Sequence, residues 1–375
     1  MNPRRPQVVH ILAAADVGGA EHFVADLASR PEETGADHSV ALLTPDPRLT
    51  EFLRDAGLRV HDGGPVRDDR VSYFRYALGP RAVAFYASIL ARERADVAHL
   101  HTFGSHVAGT RAARKQGARV MRTEHHVLHY DDWSCAPFTR WALAYTDRVV
   151  CTSEWVRDAI AQRVPRLGAP LSVVHGGVDL RRFPVQPLPE GRPIRFVLAC
   201  RLEARKRVRM VLEALIQLPD ALLDIVGDGS ERAILEALAL SWGVSTRVRF
   251  LGFQTHLGPA FAAGHVAVSC GSEEGIGHSV LEAMAVGRPV IATRASGVAE
   301  VVRDGQDGFL VEPTVASLAA AMRQAASDPE RLKLLGRAAR TRVESGFTVE
   351  QMCLGYRAEY EAVLETAKGD QPATA

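Results

Sequence analysis

The chain has 375 residues, 47% of them apolar and 24% charged, a composition that suits a globular protein with a sizeable core and a length that favours two domains over one. A formal net charge of +1 offers no overall field for nucleic acid, and five cysteines scattered without CxxC spacing read as reduced thiols of a cytoplasmic protein, not as a disulfide framework or zinc site. No run approaches 18 uncharged apolar residues, which argues against a transmembrane helix and leaves only peripheral membrane contact open.

The start, MNPRRPQVVHILAAAD, has an apolar run too short and too soon interrupted for a signal peptide; VVHILAA (8–14) reads as a strand. In AADVGGAEHFVADL, Gly18 and Gly19 open a helix where backbone amides can approach an anion. A dinucleotide fingerprint needs a third glycine and an acid about 20 residues on, and both are missing. A tight strand–helix turn and a phosphate-facing turn therefore both remain open here. Further strand-like runs follow at HSVALL (38–43), DVAHLH (96–101), ARVMRT (118–123), RVVCT (148–152) and LSVVH (171–175). Six of the fourteen histidines fall between His99 and His129. His99 and His101 alternate on one strand face, but no HExxH-like spacing and no cysteine completes a ligand set, so no metal is expected. His125, just past a strand, is better read as a polar or catalytic group facing a cleft.

GGVDLRRFPVQPLPEGRP (176–193) holds four prolines and three glycines and reads as an interdomain linker. Beyond it come RFVLAC (195–200), LLDIV (222–226), RVRFLG (247–252), HVAVSC (265–270), RPVIAT (288–293) and GFLV (308–311), separated by amphipathic stretches. Strands alternating with helices of this length imply an α/β chain of two doubly wound, Rossmann-like domains. They are expected to face each other across a cleft, with ligands at the carboxyl ends of the strands. Arg201 and Lys206 flank a turn at such an end, a fork and a point charge suited to a diphosphate. VGDGSER (226–232) reads as a structural turn. In SEEGIGHSVLEAMAVGRPVIAT, Glu274 and Glu282 would lie about 80° apart on a continuous helix, too far for one stripe. The segment is better read as a glycine loop entering a helix near Ser279, with Glu282 in the first turn and the helix N-terminus facing the cleft. The boundaries drawn are 1–183 for the first domain, 184–347 for the second, 348–368 for a final helix and 369–375 for a disordered tail.

GGAE (18–21), T-x-H (123–125), TSEWV (152–156), HGGVDLRRF (175–183), R-L-x3-K (201–206), VGDG (226–229) and E-x7-E followed by GRPV stand here in one order. Together they resemble the retaining glycosyltransferases of family 4, with the GT-B fold, over nearly the whole chain. The resemblance implies a sugar moved from a nucleoside diphosphate donor, UDP favoured, to a hydroxyl of an unidentified acceptor, with no metal or other cofactor. It implies that Gly18 and Gly19 approach the diphosphate from the first domain and that Arg201 and Lys206 bind it from the second. Glu274 would hold the sugar hydroxyls, Glu282 the ribose, and Gly275, Ile276, Gly277, His278 and Ser279 would line the donor between them. His125 would lie near the reacting sugar, and the final helix would cross back to the first domain. Cys200 and Arg207 stand where the family usually has glycine. The acceptor would meet the first domain, with 66–81 and 125–141 as candidate segments. A nucleotide-sugar epimerase of the same fold and a non-catalytic nucleotide-sugar-binding protein are the alternatives.

Overall fold

The structure, a computed structural model, describes residues 4–14, 17–65, 77–294 and 296–369. It divides into two compact units, Met1–Gly176 with Val349–Ala375, and Gly177–Thr348. Among the described residues the first unit holds seven strands: β1 (Gln7–Ala13), β2 (Asp37–Thr44), β3 (Val60–Pro65), β4 (Val97–Leu100), β5 (Arg119–Glu124), β6 (Arg148–Cys151) and β7 (Leu171–Val173). They form one parallel sheet in the order β3-β2-β1-β4-β5-β6-β7. Both faces are buried, as expected when helices cover both sides. Val8, Leu12, Val40 and Leu42 pack with Phe23, Tyr356 and Tyr360 on one face, while Val9, Ile11, Ala41 and Leu43 pack with Tyr86, Ile89 and Ala112 on the other. The order reverses between β1 and β4, so the crevice of this sheet opens past their carboxyl ends.

The second unit repeats the plan with β8 (Ile194–Ala199), β9 (Ala221–Val226), β10 (Val248–Gly252), β11 (Val266–Ser269), β12 (Val290–Thr293) and β13 (Gly308–Val311). These pair in parallel in the order β10-β9-β8-β11-β12-β13, with the reversal between β8 and β11. The VGDG segment is a structural turn for a specific reason. Gly227 has φ +133, and a Cβ there would stand 1.9 Å from the Cys200 carbonyl oxygen. Only glycine lets this turn close on the end of β8.

Two expectations need correction. Residues 177–183 are not a linker: Val178 bridges Thr348, and Phe183, 2% exposed, is part of the second unit's core. The prolines that follow are tied down as well, since buried Arg288 donates to the carbonyls of Gln186, Pro187, Phe261 and Ala262. The second unit thus begins at Gly177, ahead of the boundary drawn after residue 183. Strand β3, VHDGGP, has no apolar run to announce it. It survives at the sheet edge because a Cβ on Gly63 would meet the Leu43 side chain at 2.4 Å, so glycine is what lets it pair closely.

The final helix spans Val349–Gly369 and belongs to the first unit. Its Tyr356 hydroxyl lies 2.8 Å from Thr123 Oγ1, its Tyr360 hydroxyl 3.0 Å from His99 Nδ1, and its Glu359 pairs with Arg148. Past Gly369, the tail expected over 369–375 lies outside the described residues. Among the described residues no helix is long and apolar enough to cross a membrane.

Candidate active site

In the second unit the predicted residues gather past β8 and β11. Lys206 closes the short turn Ala204–Lys206, and its Nζ reaches the Glu274 carboxylate as an ion pair whose side chains are only 13% and 18% exposed. Cys200, Lys206, Ser269, Cys270, Glu274 and Ser279 line one pocket. The loop that carries Glu274 is pinned on both sides. Ser272 N donates to the Arg205 carbonyl at 3.1 Å, and Gly297 N donates to the Glu274 carbonyl at 3.0 Å. Arg201 lies beside Glu203 at 3.2 Å, and Glu203 also takes Arg205 at 2.6 Å. Its side chain is 40% exposed, so its guanidinium reaches solvent at this strand end.

Gly275 and Ile276 are buried and lead to Gly277, whose φ of +74 starts the helix His278–Ala285. The helix therefore starts one residue earlier than expected, and Glu282 falls beyond its first turn. A dipole-capping role for Glu282 is removed by that placement, because the effect is confined to the first turn. Burial pushes His278 down to about 4, against the opposite pull of Glu274, so at neutral pH it adds no charge at the helix start. Burial also pushes the Cys200 thiol up to about 12, which makes it an inert wall of the pocket.

In the first unit, Gly18 and Gly19 stand at the start of the helix Gly19–Ala28. Gly18 N donates to Glu21 Oε2 at 3.0 Å. The GGAE motif is thus a capping arrangement that commits the Gly18 amide internally. His125 follows β5, half-buried, with its ring edge-on to Phe23 of that same helix at 4.9 Å between centroids. His125 thus packs on the helix that Gly19 opens. The candidate acceptor segment 66–81 lies, up to residue 76, outside the described residues. In 125–141, Tyr130 is buried and bonds Glu124, whereas Trp133 is 88% exposed.

Two groups of metal-ligating type come together among the described residues: His10, His99 and His101, and His106, Glu124 and His129. A guanidinium already sits in the second. Arg122 Nη2 lies 2.6 Å from His106 Nδ1 and 2.5 Å from Glu124 Oε1. Burial pushes the Glu124 carboxyl up, but Arg122, with His129 and His106, outweighs it and holds the group well below the usual range. In the first group, His10 and His101 bond each other at 2.9 Å, while His99 bonds Tyr360 and Thr123. Sequence reasoning saw His99 and His101 share a face but missed His10 and His38, which only strand pairing brings alongside.

Residues 17–182 match the model of Glycosyltransferase Family 4, and residues 181–342 that of Glycosyl transferases group 1. EpsD of Bacillus subtilis, which carries a glycosyltransferase name, is 31% identical over 294 residues, 70% of this chain and 76% of its own length. The chain belongs to glycosyltransferase family 4. This family 4 member is also 28% identical to D-inositol 3-phosphate glycosyltransferase 1 of Catenulispora acidiphila, over 94% of this chain and 93% of that one. Among solved structures, Anabaena HepE in complex with UDP and glucose superposes with a TM-score of 0.80 at 21% identity, covering 96% of this chain and 100% of its own. Sucrose-phosphate synthase from Thermosynechococcus elongatus gives 0.83 at 22%, with 96% and 100% covered. The fold is GT-B, two Rossmann-like α/β units, and the protein is an enzyme of the hexosyltransferase class.

Proposed function

We propose that this enzyme transfers a hexose-type sugar, with retention, from a nucleoside diphosphate sugar to a hydroxyl acceptor without a divalent metal. The observation that carries it is the Lys206–Glu274 pair in the pocket past β8 and β11, beside the helix start at His278 and Ser279. A donor entering this pocket offers each partner a substitute. The diphosphate takes the Lys206 ammonium, and a sugar hydroxyl donates to the Glu274 carboxylate. Arg201 supplies a second, fork-shaped cation, Glu282 lies along the same helix toward the ribose, and the Gly19 amide is a further group proposed for the phosphates. UDP is favoured because HepE, of the same fold, binds UDP with glucose.

In the reaction the bond from the anomeric carbon to the diphosphate oxygen breaks, and the bond to the acceptor oxygen forms on the same face. The acceptor proton passes to the leaving phosphate. Negative charge grows on that phosphate, so fixed cations and a helix N-terminus lower the barrier directly. Side-chain cations meet this need without a bridging metal, and His125 contacts the sugar at the reacting end.

A thermal-shift screen of nucleotide sugars should show a rise in melting temperature with a UDP-sugar, by mass action. UDP release should persist in EDTA. A charge-assisted contact is worth roughly 1.5–3 kcal/mol, so Arg201→Ala and Lys206→Ala should each slow UDP release about 10- to 150-fold in folded protein. Near-normal turnover in both variants would remove these residues from the donor site. Interconversion of the sugar with no acceptor present would favour the epimerase reading.

A further inference from the structure

The backbone does not explain why residue 271 is glycine. Gly271 stands two residues past the end of β11, and its φ lies outside the left-handed region that Gly277, six residues on, occupies. Any residue with a side chain can adopt that conformation, and glycine there surrenders conformational entropy on folding with no return in backbone geometry.

Space explains it instead. A Cβ at Gly271 would stand 2.5 Å from Glu274 Oε1, 2.9 Å from Glu274 Cγ and 3.1 Å from Glu274 Cδ. Its three nearest neighbours thus belong to a single side chain, and Oε1 is the oxygen to which Lys206 Nζ donates. The volume of a missing methyl group is filled by the carboxylate that meets Lys206. The surrounding backbone is held more firmly than that carboxylate. Ser272 N and Ser272 Oγ both donate to the Arg205 carbonyl, at 3.1 and 3.3 Å, which fastens the loop to the turn that ends at Lys206. On the other side the Glu274 carbonyl accepts from Gly297 N at 3.0 Å. A side chain added at 271 therefore meets a pinned backbone and a rotatable carboxylate, and the carboxylate is what gives.

We propose that Gly271 is a positioning residue for Glu274: by lacking a side chain it lets the carboxylate fold back onto Lys206 and fixes where that carboxylate meets the donor sugar. The consequence for the donor rests on the roles proposed above for Lys206 and Glu274; the placement of the carboxylate does not. Two effects of opposite sign follow. Glu274 on Lys206 competes with a diphosphate for the ammonium, so displacing the carboxylate strengthens binding of the nucleotide alone. The same displacement withdraws the carboxylate from the sugar hydroxyls and slows turnover. A loop that was merely loosened would lose both.

Gly271→Ala in the full chain separates these cases. UDP, followed by calorimetry, should bind about fivefold tighter, the worth of one partly exposed ion pair removed from competition. At the same time kcat for UDP release from UDP-glucose should fall about tenfold or more. In the Glu274→Gln background the competing charge is already gone, so adding Gly271→Ala should alter UDP affinity by less than about twofold. A crystal structure of the Gly271→Ala protein should show the Glu274 carboxylate moved off Lys206. A carboxylate still on Lys206 overturns the proposal. So does a joint loss of UDP affinity and turnover, or a protein that no longer folds because its backbone gave way instead. A displaced carboxylate with unchanged UDP affinity and turnover upholds the placement by Gly271 and removes the Lys206–Glu274 pair from the donor site.

Discussion

Arg207 stands where the family pattern has glycine, and its backbone shows why: φ is +52 and ψ 35, the left-handed region. It joins the turn that ends at Lys206 to the helix Val208–Ile216, so the chain must reverse its twist at this one position. A side chain there costs about 1 kcal/mol or more, part of which glycine would return as unfolded-state entropy. Arg207→Gly should therefore raise the melting temperature by about 1–3 °C, as followed by circular dichroism. A lower melting temperature would mean that contacts of the arginine outweigh the backbone strain. At this scale the sequence was legible wherever a charge sits beside a strand end, as with Arg201, Lys206 and Glu274. The Lys206–Glu274 contact was not, because 68 residues separate the partners and only the pairing of β8 with β11 joins them. The Gly18–Glu21 contact had a local signal, an acid three residues after a helix-opening residue, which is the spacing of a capping box.

Strands were legible as apolar runs because most are buried on both faces, and β3 was not because its pairing depends on glycines at an edge. The histidine-bearing face of β1, β2 and β4 was illegible for another reason: the period along a strand says which face a residue takes, never which strand lies beside it. That face has a measurable signature. Burial holds His10, His99 and His101, and His106 on the neighbouring helix, well below their usual values, and His38 at about 4. These groups bind protons when unfolded near pH 6.5 and stay neutral when folded, so their contribution is fully present above about pH 6.5 and is lost as pH falls toward the folded values. Each proton taken up on unfolding adds a slope of about 1.4 kcal/mol per pH unit. Urea unfolding followed from pH 7 to pH 5 should show a midpoint that drops steeply, by more than one histidine explains. A flat midpoint over that range would mean that the imidazoles are charged in the folded protein.

At the scale of the whole molecule, the alternation of strands and helices and the ordered motifs were enough to read two Rossmann-like units. The point where one ends was less clear, because prolines that resemble a linker are held by Arg288 in the second unit's core. The two units also differ in how the chain builds them. The second is one continuous run, whereas the first needs Val349, Met352, Cys353, Tyr356, Tyr360 and Val363 of the final helix, all 1% exposed or less. At roughly 1.5–3 kcal/mol per buried apolar side chain, losing the six is comparable to the whole stability of a typical domain, about 5–15 kcal/mol. A fragment of residues 177–348 should therefore give a dispersed NMR spectrum and cooperative unfolding, and a fragment of residues 1–176 should give neither. A folded 1–176 fragment would show that the helix is an accessory. The returning helix also sets an order of events on the ribosome. The half of the sheet made first waits, uncovered, until the last helix emerges, while the unit encoded in the middle can finish folding before it. A stop just before the last helix would thus strand the beginning of the protein and spare its middle.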